Sequence, residues 1–345
     1  MTEGDHGMKF GLKINSQFPV GAGAVQGTRD IVEQVRIARE VGFDSVWVSQ
    51  HFLAKPYQAL QTWPLLGRLV GESGDMTIGS SIFLLTLSNP AYAAEQAATM
   101  DVMTGGRFVF GVGLGYREEE FEAFGVDYAT RGSRFEECLD VAIRLWTEDE
   151  VTHDGRHFRL TNASLLLKPV QKPHPPIWMA ASGDPAVRRA ARYGFAWLIN
   201  PHASLGNITR QMELYRATLA ERGREPPPDF PIFKELSVAD THEAAVETAR
   251  PYLEKKYRSY AQWGLDRPMG EGESLSAPFE ELLRDRFIVG TPQECSEEIE
   301  RYRDALGVNH LVLRLQWPGM PQADVLREIE LIGEKVIPMW RKENA

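Results

Sequence analysis

Residues 93–115 read Ala93-Ala-Glu-Gln-Ala-Ala-Thr-Met-Asp101, then Val102-Met103, then Thr104-Gly-Gly-Arg-Phe-Val-Phe-Gly-Val-Gly-Leu-Gly115. Ala93, Ala94, Ala97 and Ala98 give a helix whose small side chains allow close docking on a sheet. Gly105-Gly106 ends that helix. Arg107 to Gly113 then predicts a strand in which Phe108 and Phe110 alternate with Val109 and small residues. A helix that passes at once into an apolar strand is the repeating unit of parallel α/β folds.

The same alternation runs outward in both directions. Strands are expected at Lys9 to Ile14, Asp44 to Ser49, Thr77 to Leu85, Ile177 to Ala181, Phe195 to Ile199, Ile232 to Ala239 and His310 to Leu315. With Arg107 to Gly113 they number eight, as an α/β barrel requires. Helices are expected after the first strand, where Thr28 and Asp30 are candidate caps and Ile31, Val35, Ala38 and Val41 repeat at helical spacing until Gly42, and at about Gly132 to Trp146, Ala186 to Tyr193, Thr241 to Tyr260 and Pro292 to Leu306. Val151 to Phe158, with Asp154-Gly155 between two extended halves, reads as an inserted hairpin with a two-residue turn. Residues 261–278 lack apolar periodicity and read as a lid or binding segment. No internal repeat and no domain boundary is visible, so residues 1–345 are expected to form a single domain with insertions near 150–170 and 261–285. Arg224 to Asp229, rich in proline, reads as a stiff loop.

Composition narrows the function. The chain has 345 residues, and its 38 Lys+Arg against 48 Asp+Glu give a net charge of −10, which repels nucleic acid and anionic membranes. Cys138 and Cys295 are too few for a disulfide framework and suit a reducing compartment. The longest nearly apolar stretch, Met76 to Leu87, is too short to span a bilayer. The first six residues carry no secretory signal, so a cytoplasmic protein is expected.

Gly111-Val-Gly-Leu-Gly115 follows a strand but fails the dinucleotide fingerprint GxGxxG, because position 116 is Tyr. Glycines at a strand tip either let a flat ligand approach the backbone or mark a crowded barrel corner. Ser182-Gly183 lies between a strand and a helix. There a hydroxyl and backbone N–H groups can cradle a phosphate, or simply cap the helix. His51, just past the second strand, is placed to act as a base or to hydrogen-bond a reacting oxygen, or to be structural. The basic run Arg188-Arg189 with Arg192 reads as a solvated helix face. His153 and His157 would point to opposite faces of the hairpin, and no HExxH or CxxC pattern occurs, so no metal is expected. The absence of GxSxG and of a phosphate-binding P-loop argues against a serine hydrolase or a nucleotide triphosphatase.

Together these segments resemble the bacterial luciferase-like flavin-dependent monooxygenase family. The strongest piece is the helix and strand of residues 93–115, similar to the family's GRF-x-x-G-x-G strand. Gly42-Phe-Asp-Ser-Val-Trp47, Arg131-Gly-Ser-Arg-Phe-Glu136, Pro175-Pro-Ile-Trp178 and Val289-Gly-Thr-Pro292 support it. The resemblance implies a (β/α)8 TIM barrel that holds FMN, or in one branch a deazaflavin, at the carboxyl ends of its strands. It places His51 where the family has an active-site histidine, and Ser81-Ile82 where a non-proline cis peptide often supports the flavin ring. Gly113, Leu114, Gly115 and Tyr116 match the strand end that lines ring and phosphate, and Ser182 and Gly183 match the phosphate loop. Gln50-His51-Phe52 lacks the Glu-His-His triplet of light-emitting members, and Asn89 stands where a histidine is common, which argues against bioluminescence.

The function expected on this resemblance is a monooxygenase that takes reduced FMN from a separate reductase and uses O2 to oxidise a small organic substrate, as a homodimer. A deazaflavin-dependent hydride-transfer enzyme and a non-catalytic flavin-binding protein are the alternatives. Phe52, Trp63, Tyr116 and the 261–278 segment are candidate pocket walls.

Overall fold

The computed structural model describes residues 7–265, 269 and 274–341. Eight parallel strands close on themselves: β1 (Lys9–Ile14), β2 (Ser45–Val48), β3 (Thr77–Ser80), β4 (Phe108–Gly113), β5 (Ile177–Ala181), β6 (Ala196–Ile199), β7 (Pro231–Val238) and β8 (His310–Arg314). Each pairs with the next in chain order. β8 returns to β1 through Lys9 opposite His310, and β4 meets β5 through Phe110 opposite Ile177. This is the (β/α)8 TIM barrel expected from the sequence, with every expected strand in place.

The helices between strands are α1 (Ala24–Glu40), α2 (Thr62–Ser73), α3 (Pro90–Met103), α4 (Arg131–Thr147), α5 (Asp184–Tyr193), α6 (Leu205–Glu221) and α7 (Pro292–Leu306), followed by α8 (Gln322–Leu331). Their ends follow local chemistry. Asn89 caps α3 by accepting from the Ala91 N–H, with Pro90 at the first turn, where its missing N–H costs nothing. Thr291 and Glu294 form a reciprocal capping box on α7, which Gly307 ends in the left-handed region at φ 69°. The alanine face of α3 is wholly buried, and Trp146 of α4 donates its Nε1–H to the Ala94 carbonyl at 3.0 Å. Close approach of these helices needs the small residues that the sequence supplies.

Several local expectations are corrected. Thr28 and Asp30 do not cap α1; the helix begins a turn earlier at Ala24, with Gly23 as its cap. Thr28 instead returns its hydroxyl to the Ala24 carbonyl. The inserted hairpin pairs Val151–Asp154 with Arg159–Ala163, and Asp154 faces Arg159, so its loop has four residues and not the two expected from Asp154-Gly155. Glu137 of α4 explains the wider loop, since its carboxylate accepts from the N–H groups of both His157 and Phe158. The third strand is shorter than expected. It stops at Ser80, and after a cis peptide between Ser81 and Ile82 the pair Phe83–Leu84 rejoins β4.

The connection from β7 to β8 holds the long helix His242–Gln262, the short helix Phe279–Arg286 and an unexpected strand, Phe287–Gly290, alongside the second half of β7. The 261–278 segment falls in part outside the described residues. Of those described, Leu265, Met269 and Leu275 are buried. No helix among the described residues is long and apolar enough to cross a membrane.

The barrel lumen is filled at its amino-terminal end by aromatic rings. Trp47 and Trp178 stack with centroids 4.2 Å apart. Trp47 donates its Nε1–H to Ser45 Oγ at 2.8 Å, and that hydroxyl meets His310 Nε2 at 2.7 Å. The floor of the lumen is therefore closed, and the lumen opens toward the carboxyl ends of the strands.

Candidate functional site

The sequence-predicted positions come from consecutive strands. His51 follows β2, Ser81-Ile82 follows β3, Gly113 to Tyr116 end β4, and Ser182-Gly183 join β5 to α5. Because β2 to β5 are neighbours in the sheet, these four places lie along one arc of one rim. That is where α/β barrels carry their active sites.

The glycines of β4 answer the question the sequence left open. A Cβ on Gly111 would stand 1.8 Å from the Ser80 carbonyl oxygen, and one on Gly113 would stand 2.5 Å from the Ile82 side chain. Both glycines are therefore required by the crowded turn after β3. Ile82, half-buried, is the group lying against the strand tip. Gly115 adopts φ 85°, a left-handed conformation that favours glycine.

His51 is held from behind. Its Nδ1 lies 3.3 Å from Glu120 Oε1, which also accepts from the Phe52 N–H at 2.9 Å. Arg117 approaches the same oxygen at 3.5 Å and donates to the Phe52 carbonyl at 3.0 Å. Glu120 is 1% exposed, and its Oε2 has no hydrogen-bond partner. The Tyr116 ring stands edge-on to His51 with centroids 6.3 Å apart. Burial, with Tyr260 nearby, pushes the Tyr116 phenol well above the ordinary tyrosine range. The sequence reading passed over Glu120 because it sits in the run Glu118-Glu-Glu120, which looks like a solvated face.

At the Ser182-Gly183 turn, Gly183 caps α5 without a side-chain bond. Ala186 and Val187 direct their N–H groups to the Gly183 carbonyl. Pro185 has none, so the turn's remaining donors are the Ser182 hydroxyl and the N–H groups of Gly183 and Asp184. Arg210 holds the Asp184 carboxylate through two 2.8 Å bonds and draws its pKa down to about 2. Arg189 and Arg192 both bind Glu136.

The opposite arc of the mouth, from β7 through β8 to β1, was not read from the sequence. Lys13 of β1 donates to both the carbonyl and the hydroxyl of Ser81. Glu235 of β7 accepts from Lys256 of the long helix and, at 2.7 Å, from Trp317. Arg314 of β8 lies 4.0 Å from Glu235. Burial alone would raise the Glu235 pKa, but Lys256 and Arg314 hold it below the ordinary carboxylate range. Burial, with Arg314 and Lys256 adding to it, drives Lys13 well below the ordinary lysine range. Burial and Arg314 bring Lys256 down to about 7. Tyr260, Tyr57 and Trp263 complete a narrow cleft with about 30 Å³ of open space. The available signal was a charge inside each of three apolar strands: Lys13, Glu235 and Arg314.

Two other candidates change meaning. Trp63 is not a pocket wall; it is buried on α2 and packs on Phe83 and Phe110. Phe52 stays near the rim and packs on Phe124, centroids 4.5 Å apart. His153 contacts Glu137 and His157 contacts Ser133, and among the described residues no group of three metal-ligating side chains occurs.

Comparison with known proteins agrees with this fold. The chain is 29% identical over 330 residues to an F420-dependent glucose-6-phosphate dehydrogenase of Amycolatopsis mediterranei, covering 91% of this chain and 95% of that one. Among solved structures it shares its fold with monooxygenase RslO1 of Streptomyces bottropensis, at a TM-score of 0.85 and 22% identity over 96% of this chain and all of that one. It likewise matches the oxygenating constituent of 3,6-diketocamphane monooxygenase of Pseudomonas putida, solved with FMN, at a TM-score of 0.80 and 20% identity over 96% and 98% of the two chains. A sequence profile described as luciferase-like monooxygenase matches residues 8–310. A closed parallel barrel, a rim built from the ends of β2 to β5 and that match over most of its length make this chain a member of the luciferase-like monooxygenase family, an oxidoreductase with a flavin-type cofactor.

Proposed function

We propose that the protein is the oxygenating component of a two-component monooxygenase, which binds reduced FMN made by a separate flavin reductase and oxidises a small organic substrate with O2. The observation that carries this reading is the placement of His51, Ile82, Tyr116 and Ser182-Gly183 on one continuous arc of the barrel rim.

The residues of this arc have the chemistry that FMN would need. Ser182 and the N–H groups of Gly183 and Asp184 would take the phosphate at the positive end of α5. Ile82, Leu114, Gly115 and Tyr116, all partly exposed, would line the ring. When bound and reduced, FMN supplies the electrons for oxygen activation, and the protein supplies orientation and electrostatics. Glu120 accepts at His51 Nδ1, which sets that nitrogen as the donor and leaves Nε2 to accept or return a proton. Ile82, Phe52 and Tyr116 limit the water that reaches the reacting atoms.

The basic side chains near the phosphate turn favour FMN over a deazaflavin with a longer anionic tail. Arg189, Arg192 and Arg210 are all engaged by Glu136 or Asp184, which leaves Arg188, near Asp184, as the unpaired cation of α5 among the described residues, enough for one phosphate. The named relative at 29% identity favours the second reading, deazaflavin-dependent hydride transfer. Titration of the pure protein with reduced FMN and with reduced deazaflavin, followed by fluorescence and by O2 uptake, separates them. Binding of FMN with O2 consumption supports the monooxygenase. Binding of the deazaflavin alone, with no O2 consumed, overturns it. Binding of FMN with no substrate turnover favours a flavin-binding protein.

A further inference from the structure

The charged arc from β7 to β1 is more than an enzyme needs to hold a neutral substrate. Among the described residues it brings three basic side chains, Lys13, Lys256 and Arg314, around one carboxylate, Glu235. Glu235 is spent on Lys256 and Trp317, and its distance of 4.0 Å from Arg314 is too long for a hydrogen bond. Arg314 makes a side-chain hydrogen bond with Tyr260, but its Nε is buried and has no hydrogen-bond partner. Its guanidinium lies over the Phe233 ring at 5.1 Å, a contact that fixes its plane without using its donors. Buried guanidinium donors are costly to leave unmet, and a planar or tetrahedral anion meets them in pairs.

Arg314 and Lys256 both line the cleft that opens beside Asn15 and Gln17 at the end of β1. Its open space of about 30 Å³ suits a small polar group. The walls are aromatic: Tyr57, Tyr252, Trp263 and Trp317. A cationic end within aromatic walls selects a ligand with one anionic group and an apolar body.

This cleft is separate from the phosphate turn. Its residues come from β8, from the end of β1 and from the helix His242–Gln262, whereas Ser182-Gly183 lie at β5, across the barrel. We infer that Arg314, seconded by Lys256, is the docking point for the anionic group of an organic acid substrate, a carboxylate or phosphate monoester carried on an apolar or aromatic body. The inference rests on the flavin reading above for the reaction, but the anion site is testable without turnover.

The test uses the full chain with and without FMN, and calorimetric titration with three probes of one body: 4-phenylbutyrate, 4-phenylbutyl phosphate and 4-phenylbutan-1-ol. Either or both anions are expected to bind about tenfold or more tightly than the alcohol, the worth of a charge-assisted hydrogen bond. Whichever anion binds more tightly identifies the headgroup. Arg314→Met is expected to erase that preference, and Arg314→Lys to keep part of it, with FMN affinity unchanged in both. Equal binding of the alcohol and the anions, or no binding of either anion, overturns the proposal. So does loss of FMN affinity in Arg314→Met with the anion preference intact, because the cation would then serve the flavin. Failure of the parent to bind FMN while still preferring the anions sinks the flavin reading and leaves this site standing. The parent titrations decide the matter even if a variant fails to fold.

Discussion

The two ends of the barrel lumen are built from the same eight strands and hold opposite kinds of chemistry. At the amino-terminal end, Trp47 and Trp178 stack, and Trp47 Nε1, Ser45 Oγ and His310 Nε2 form one neutral chain of hydrogen bonds that leaves only His310 Nδ1 without a partner. At the carboxyl end, the lumen holds Lys13, Glu235 and Arg314, with Lys256 and Tyr260 entering from the long helix. Neutral rings packed on one another stabilise the closed barrel. Charged groups with unmet valence cost stability, and a protein keeps them where a ligand will use them. The difference teaches that the floor holds the barrel shut and the mouth holds the chemistry.

Truncation of the floor is the strongest way to break this comparison. Trp178→Ala removes a fully buried ring and its stacking on Trp47, and should cost about 3–5 kcal/mol in urea-induced unfolding. A loss under about 1 kcal/mol would show that the floor is not where stability resides. His51→Ala probes the mouth. It should lower the substrate-dependent rate about 100-fold or more, as removal of a general acid or base does, while the unfolding midpoint stays near that of the parent. A variant that loses stability and keeps its rate would reverse the two roles.

Titration sharpens the comparison, because the two ends change with pH in different windows. Burial lowers the His310 pKa from 6.5 to about 3. The unfolded chain binds that proton first, so stability falls as pH drops from 6.5 toward 3, by up to about 1.4 kcal/mol per pH unit. His310→Asn should remove this share of the acid sensitivity in urea titrations across that range. At the mouth, Lys256 is lowered from 10.5 to about 7, and the unfolded chain again holds the proton longer. Stability should therefore rise with pH from about 7 to 10.5. Lys234, buried against the Tyr302 ring and likewise at about 7, adds to that rise, and Lys234→Met should flatten it.

The smallest expected effect lies at the phosphate turn. Ser182→Ala removes one hydroxyl donor and should weaken FMN binding by about 1 kcal/mol in a fluorescence titration, with no change in unfolding. An unchanged affinity would mean that the α5 backbone alone holds the phosphate.

Strand count, barrel closure and the arc of β2 to β5 were legible because hydrophobic period and glycine punctuation are local properties of the chain. His51, Gly113 and Ser182 could be named for the same reason: each stands directly after an apolar run that predicts a strand. Trp63 misled, since a tryptophan near a strand end looks alike whether it faces the lumen or the outer helices, and only packing against Phe83 and Phe110 decides. The four-residue hairpin loop escaped because its shape depends on Glu137, a side chain on a different element.

The sequence by itself determined the alternation of strands and helices and most of the signals that end them. Each of these rests on neighbours a few residues apart. Only the tertiary structure decided that Glu120 stands behind His51, 69 positions earlier, that Glu235 gathers Lys256 and Arg314, and that those two cations line one cleft. Closing the barrel brings its first and last strands side by side, and partnerships between charges so far apart in the chain leave no periodic trace in it.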